Sequence, residues 1–314
     1  MVAIVATPPT EPEPRGPSKV VRTARARVDQ TWERVEAARG RVPAIDAAFD
    51  VRTYDQEVGG GLLAGAIAFR LFLFIVPFAF VTVLALGWVA DATGMTPGDV
   101  GKRFGMAGIV ASYIGQASSQ DSTSRFLLLL VGCYALYLAS LGAVRAIRVA
   151  HILAWRMEIV RFRGSLTAAL WFAGVAFLVA FVTAAVNVVR ESEPGPGLAL
   201  LLLSGVFVAG VWLAVSWKLP HPAEVELREL LPGALLVAVG VEALHLLTVL
   251  WYSNKIAHSS ELYGGLGVAV GLLAWLYLLG RLTIASVVLN ATLWRRRNAG
   301  PQGSDEPSGE APSA

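Results

Sequence analysis

Long apolar runs, separated by shorter polar connections, dominate the pattern of this chain. A helix that crosses about 30 Å of hydrocarbon needs about 20 mostly apolar residues. Six runs meet or nearly meet that length, and they are residues 61–90, 126–144, 164–189, 196–217, 231–253 and 262–294. The pattern therefore predicts an all-α fold, a polytopic membrane bundle of six transmembrane helices within a membrane domain of residues 61–297.

The segments that flank this domain are polar. Residues 1–18 are rich in proline and residues 298–314 in Gly, Pro, Ser and acidic residues, so both are expected to be disordered tails. Residues 19–60 are predicted to form a basic helical segment, because apolar residues recur at spacings of three and four from Val21 to Val42. This helix could rest on an anionic membrane surface, pack on its own domain or form a coiled coil, although its Ala and Thr positions make a poor seam.

The longest connection on the far side of the predicted bundle is residues 91–125. Thr96 followed by Pro97 suits a helix start, with Thr as the N-cap and Pro at the first helical position. An apolar face after this point could rest on the membrane. The segment is interpreted as either a lid or a simple connector.

Composition supports the membrane interpretation. Apolar residues make up 55% of the chain and charged residues 16%, and mean hydropathy is +0.59. Soluble proteins carry roughly 25% charged residues, so a cytosolic enzyme is excluded. The single cysteine, Cys133, cannot form an internal disulfide.

The positions of the basic residues predict the orientation, since cytoplasmic loops are enriched in Lys and Arg. Of 26 Lys and Arg residues, 19 fall on the side that holds both termini and five on the opposite side. The remaining two, Arg70 and Arg281, lie within predicted spans. Both termini are therefore predicted to be cytoplasmic.

Ionisable residues inside the predicted spans are the best candidates for function, because each is costly in hydrocarbon. Glu242 lies about 17 Å along the fifth span at 1.5 Å per residue, and His245 follows three residues later on the same face. Two interpretations remain open: a hydrogen-bonded contact between helices that includes Asn187, and a polar or proton-responsive element of a transport path. Glu-x-x-His also occurs in dimetal bundles, but no second such pair accompanies it here.

Arg70 and Arg281 are both expected near the cytoplasmic interface. Three interpretations remain open: the two side chains extend toward water, they hold an anionic lipid headgroup, or they pair with Glu242. Pro77 interrupts the first span and frees the carbonyl of Leu73, so a helix kink is expected there.

Other chemistries find no support in the sequence. The four histidines are scattered, and neither a zinc-protease motif, a nucleophile elbow nor a phosphate-binding glycine loop occurs. We therefore expect no enzyme activity, no catalytic residue, no metal, no cofactor and no nucleic-acid partner.

Short motifs in the spans resemble the YihY/BrkB family of bacterial inner-membrane proteins. The small and aromatic residues at 64–70 lead to Pro77, a Pro-Gly pair opens the fifth span at 231–235, and the final span carries 263–264 and 273–277. The resemblance covers about residues 45–297. One departure is Val288, since the family commonly has an acid just before the Leu-Asn pair of the last span.

The resemblance implies a multi-pass protein of the bacterial plasma membrane and a candidate transporter. Together with the embedded charges, it favours translocation of an amphipathic or anionic substrate, with anionic membrane lipids as expected partners. The alternative is a non-transporting scaffold or lipid-binding protein that recruits partners through its basic N-terminal helix. No motif in the sequence supports the ribonuclease activity for which the family was once named. The sequence leaves the oligomeric state open.

Overall fold

The computed structural model describes residues 43–94, 122–159, 164–192, 197–247 and 253–298. In these ranges the chain forms α-helices, one 3₁₀ turn and irregular connections, without a β-strand. The elements are α1 (Pro43–Glu57), α2 (Gly60–Thr93), α3 (Ser122–Ala154), α4 (Leu166–Ser192), α5 (Gly197–Lys218), the 3₁₀ turn (Leu227–Leu230), α6 (Leu231–Leu247) and α7 (Ser253–Asn298).

The chain divides into two compact units, residues 1–50 and 51–314. The first is described only over residues 43–50, which are helical. The second unit contains six helices, α2 to α7, that are long and apolar enough to cross a membrane. The predicted all-α class and six spans are thereby confirmed, while the cytoplasmic placement of the termini stays a prediction.

The helices extend beyond several of the predicted spans. The second span was expected at 126–144, yet α3 runs for 33 residues to Ala154, and α7 is 46 residues long. The fifth span was expected to reach 253, and α6 ends at Leu247 before residues 248–252, which lie outside the described residues. Also outside them are residues 1–18 and 299–314 of the predicted tails, residues 19–42 of the predicted basic helical segment 19–60, and most of the 91–125 connection, including Thr96 and Pro97. Asn298, expected in the tail, ends α7.

Local chemistry explains where the helices begin and end. Gly59 and Gly94 flank α2 with φ of 70° and 65°, a left-handed conformation that glycine adopts without a Cβ clash. Ser165 caps α4, because its Oγ accepts a hydrogen bond from the N–H of Ala168 at 3.1 Å. Pro77 lies inside α2, which remains helical on both sides of it, and the kink there stays a prediction.

The six spanning helices form a ring in which neighbours in the chain are neighbours in space, and α7 closes the ring against α2. Helix α7 also contacts α3. Helices α2 and α7 approach closely at Gly280, where an added Cβ would lie 2.5 Å from the carbonyl oxygen of Ala64. The main core, which includes Ala64, Ile67, Ile284 and Val288, lies where α2, α3 and α7 meet.

Candidate functional site

The start of α6 is held by a side chain from the last helix. The first N–H groups of a helix have no partner within it, and here the Gly233 N–H donates to Asn290 Oδ1 at 2.7 Å. The amide of Asn290 in turn donates to the Leu230 carbonyl at 3.2 Å. Asn290 is 2% exposed, so both bonds are shielded from water. This residue joins α7 to the entrance of α6.

A second buried polar contact lies one turn earlier on α7. The Trp212 indole N–H donates to Ser286 Oγ at 3.0 Å, and the Ser286 hydroxyl donates to the Thr283 carbonyl at 2.8 Å. His151 of α3 lies beside Trp212, with ring centroids 6.5 Å apart. Its Nδ1–H donates to the Ile147 carbonyl at 2.9 Å. Its buried Nε2 has no hydrogen-bond partner among the described residues.

Arg281 forms an ion pair that ties α7 to α1. Its Nη1 and Nη2 donate to the two carboxylate oxygens of Asp55 at 3.2 and 2.8 Å. Both side chains are largely shielded, with 34% and 17% of their surface exposed. Gly60 leaves room for this pair, because an added Cβ would lie within 3.0 Å of both side chains. Arg281 is therefore neutralised by a carboxylate from outside the predicted spans.

Tyr54, one residue before Asp55, anchors α1 to the end of α3. Its hydroxyl donates to the Ala154 carbonyl at 2.7 Å. The Arg295 guanidinium lies 3.6 Å from the centre of the Tyr54 ring and that of Arg156 lies 5.1 Å from it. Arg156 also pairs with Glu57 at 2.9 Å. The end of α3, the end of α7 and α1 thus meet at one end of the bundle, which we call the basic end.

A cleft of about 360 Å³ opens between α3, α4 and α5 at this same end. Its inner wall contains Ile147 and Phe172, which belong to the packed core. Towards its mouth stand the exposed Trp171 and Lys218. The full lining is Val144, Ile147, Arg148, Ser165, Thr167, Ala168, Trp171, Phe172, Val215, Lys218 and Leu219. Two of these described lining residues are cationic and none is acidic.

The candidate residues from the sequence lie on four different helices, α2, α4, α6 and α7. Glu242 is half-buried on α6, and His245 of the same helix is exposed. Arg70 is exposed beside Gly142 of α3, whose added Cβ would lie 3.3 Å from Arg70 Nη1. Within the described residues, no ion pair joins Glu242 to either arginine. The carboxylate that pairs with Arg281 is that of Asp55. Asn187 is in α4, and its side chain lies outside the description.

Sequence reasoning missed the residues that the fold does bring together. Asp55 precedes the first span and is 226 positions from Arg281, so no local pattern links them. Arg148 and Lys218 contributed only to the count of basic residues. Among the described residues, no group of three or more His, Cys, Asp or Glu side chains could hold a metal ion.

These features define a multi-pass helical membrane protein with an interhelical cleft at its basic end. The family model described as Virulence factor BrkB matches residues 55–310. The chain therefore belongs to this family, as its motifs in the first, fifth and last spans led us to expect. Searches of curated proteins and of solved structures found no match.

Proposed function

We propose that this protein binds an amphipathic anionic substrate between its helices and moves it across the bacterial inner membrane. The observation that carries the proposal is the cleft between α3, α4 and α5. Its walls are mainly apolar, as a hydrocarbon chain requires, while Arg148 and Lys218 supply positive charge for an anionic group. The proposal needs no metal, no cofactor and no catalytic step.

Charge distribution supports an orientation for the proposed path. The cleft lies at the basic end, where the ends of α3, α5 and α7 carry Arg145, Arg148, Lys218, Arg295, Arg296 and Arg297. Cytoplasmic segments are enriched in these residues. We therefore propose that both termini are cytoplasmic and that the cleft opens near the cytoplasmic leaflet.

The ionisable residues of the spans supply candidate groups further along the path. Glu242 is half-buried within α6, and its carboxylate would be costly if it faced lipid alone. We propose that Glu242 and His245 form a polar element there, and that Arg70 lies near the entry. Arg281 has a structural part in this scheme, because Asp55 already occupies both of its terminal nitrogens.

Transport in proteoliposomes tests the proposal. Purified full-length protein would be reconstituted with lipids that carry a fluorescent group and an anionic, zwitterionic or cationic headgroup, and movement between leaflets would be followed by chemical quenching. We expect faster movement of the anionic probe than in protein-free vesicles, reduced by Glu242→Gln and Arg70→Gln. Equal rates for protein-containing and protein-free vesicles with every probe would overturn it.

The scaffold alternative makes a different prediction. If residues 1–45 recruit partners, their removal abolishes function, whereas a translocator keeps its activity. This truncation retains Tyr54 and Asp55, the two residues that hold α1 to α3 and α7. We expect the truncated protein to move the anionic probe at a rate close to that of the full chain.

A further inference from the structure

We infer that the cleft is a headgroup site for an anionic phospholipid, with the phosphate between Arg148 and Lys218 and the acyl chains leaving towards the surrounding lipid. This inference deepens the proposed function and rests on it, because it names the substrate class and the residues that select it. Neither Arg148 nor Lys218 was among the candidates that the sequence suggested.

The positive charge of the lining favours a ligand with negative charge. Arg148 comes from α3 and Lys218 from the last residue of α5, so two different helices converge on one cleft with a positive group each. A phosphate diester carries one negative charge, and charge-assisted hydrogen bonds to guanidinium and ammonium groups are stronger than neutral ones. The mostly apolar remainder of the lining strengthens these interactions by lowering the local dielectric.

The same lining discriminates against zwitterionic lipids. A choline or ethanolamine headgroup carries an ammonium, and the described lining contains no carboxylate to pair with it. Two cations would instead repel that ammonium. The expected ligands are therefore lipids whose headgroup has net negative charge.

The size of the cleft leaves room for the headgroup and only the first part of the acyl chains. A volume of 360 Å³ is near the lower limit of ligand pockets, roughly 300 to 1,000 Å³, and a whole two-chain lipid does not fit. The headgroup and the first part of the chains do. Trp171 is 37% exposed and Leu170 next to it is 62% exposed, so chains that leave the cleft along α4 meet an apolar, lipid-facing surface.

Polar groups at the start of α4 complete the site. Ser165 and Thr167 line the cleft and are exposed. Their position at the N-terminus of a 27-residue helix adds partial positive charge close to the two cations. A phosphate in the cleft would then meet a guanidinium, an ammonium and this helix end.

The test measures binding of phosphatidylglycerol and phosphatidylcholine to full-length protein in detergent micelles by native mass spectrometry. We expect wild type to prefer phosphatidylglycerol. Arg148→Gln and Lys218→Gln should each weaken binding of phosphatidylglycerol about tenfold, in keeping with the loss of a charge-assisted hydrogen bond. Binding of phosphatidylcholine should be unchanged. Arg228→Gln is the matched control, because this exposed arginine belongs to the same end and pairs with Glu226 outside the lining.

Charge-conserving variants separate binding from folding. Arg148 also interacts within the protein, so Arg148→Lys, combined with Lys218→Arg, should keep the preference if charge in the cleft matters. Competition with glycerol phosphate identifies the source of the phosphate. If glycerol phosphate competes at the same concentration as a short-chain phosphatidylglycerol, the cleft is a site for soluble anions and the lipid assignment is overturned. Loss of preference in Arg228→Gln, or its retention in both Gln variants, would also overturn it.

Comparison with the transport assay distinguishes the two proposals. Intact translocation of the anionic probe without selective binding at Arg148 and Lys218 would remove the headgroup site and leave the proposed function standing. Selective binding without translocation would keep the site and reject transport.

Discussion

The ring of six helices has a densely packed side and a sparsely packed side. In the apolar stretches of α2, α6 and α7, 28%, 33% and 33% of the residues are buried, against 11% and 6% in α4 and α5. The buried hydrogen bonds of Asn290 and the shielded Asp55–Arg281 pair belong to the dense side. On α5, by contrast, Leu202, Leu203 and Val206 are each more than 60% exposed.

This difference predicts which helices hold the bundle together and which move more easily. Without water, association of spanning helices depends on close packing and interhelical hydrogen bonds, and α2, α6 and α7 have both. Helix α5 has one such bond, from Trp212 to Ser286, but few residues of α4 and α5 are buried. We therefore expect their displacement to cost less free energy. The cleft lies at the boundary, with α3 supplying one wall and α4 and α5 the others. We therefore expect a ligand of the proposed site to displace α4 or α5 and to leave the packed side in place.

The largest expected effect is at Asn290. Asn290→Ala removes two buried hydrogen bonds and leaves the Gly233 N–H without an acceptor, which should cost about 3 kcal/mol of unfolding free energy. Reversible unfolding in mixed micelles of SDS and a mild detergent measures it. Asn298→Ala, at the exposed end of the same helix, should change little. Similar costs for both variants would show that α7 does not fix the start of α6.

Glycine substitutions compare the two sides directly. In Gly280→Ala the new Cβ would lie 2.5 Å from the Ala64 carbonyl oxygen, whereas at Gly205 of α5 no atom lies within 4 Å. Gly280→Ala should cost about 2 kcal/mol through overpacking, and Gly205→Ala should be neutral or stabilising, since alanine favours helix. Thermal unfolding in detergent would reveal the opposite signs. A melting temperature unaffected by Gly280→Ala would mean that α2 and α7 separate easily.

The same substitution at a buried valine and at an exposed valine separates the stability that comes from helix packing from the stability that comes from contact with lipid. Val288 is 0% exposed on α7 and Val206 is 70% exposed on α5. Val288→Ala should cost about 1.5 kcal/mol, because a void forms in the core, and Val206→Ala should fall within about 0.5 kcal/mol of wild type. Unfolding free energies of both proteins in the same micelles supply the comparison. Equal costs would indicate that α5 is as tightly packed as α7.

The smallest expected difference concerns two carboxylates of α1. Asp55 and Arg281 are 17% and 34% exposed, whereas Glu57 and Arg156 are 53% and 64% exposed. Asp55→Asn should cost about 1 kcal/mol more than Glu57→Gln, because exposed ion pairs contribute little. The difference should also persist at high salt, which screens exposed charges more than shielded ones. Denaturation in low and high salt measures both points, and equal costs would contradict the assignment.

Sequence reasoning predicted the six helices because a membrane admits few solutions for an apolar run of about 20 residues. It missed the full length of α3, whose last turns after Arg145 carry polar residues but pack against α1 through Ala154. It noted Asn290 as part of a short motif without predicting its bond to Gly233, because that bond joins positions 57 apart.

The candidate site was less predictable for a related reason. Ionisable residues in spans are conspicuous, so Glu242, His245, Arg70 and Arg281 stood out, yet partners depend on which helices become neighbours. Arg148 and Lys218 had an adequate explanation as cytoplasmic charge. Only the fold places them in one cleft.

The cap that Asn290 provides has a consequence for biogenesis. Helix α6 is synthesised before α7, so the N–H of Gly233 has no permanent acceptor until α7 has inserted and presented Asn290. Until then the Gly233 N–H and the Leu230 carbonyl at the start of α6 must form hydrogen bonds with water, lipid headgroups or an assembly factor. Helix α7 thus completes the helix before it, and chains arrested ahead of residue 290 should be substrates for membrane quality-control proteases.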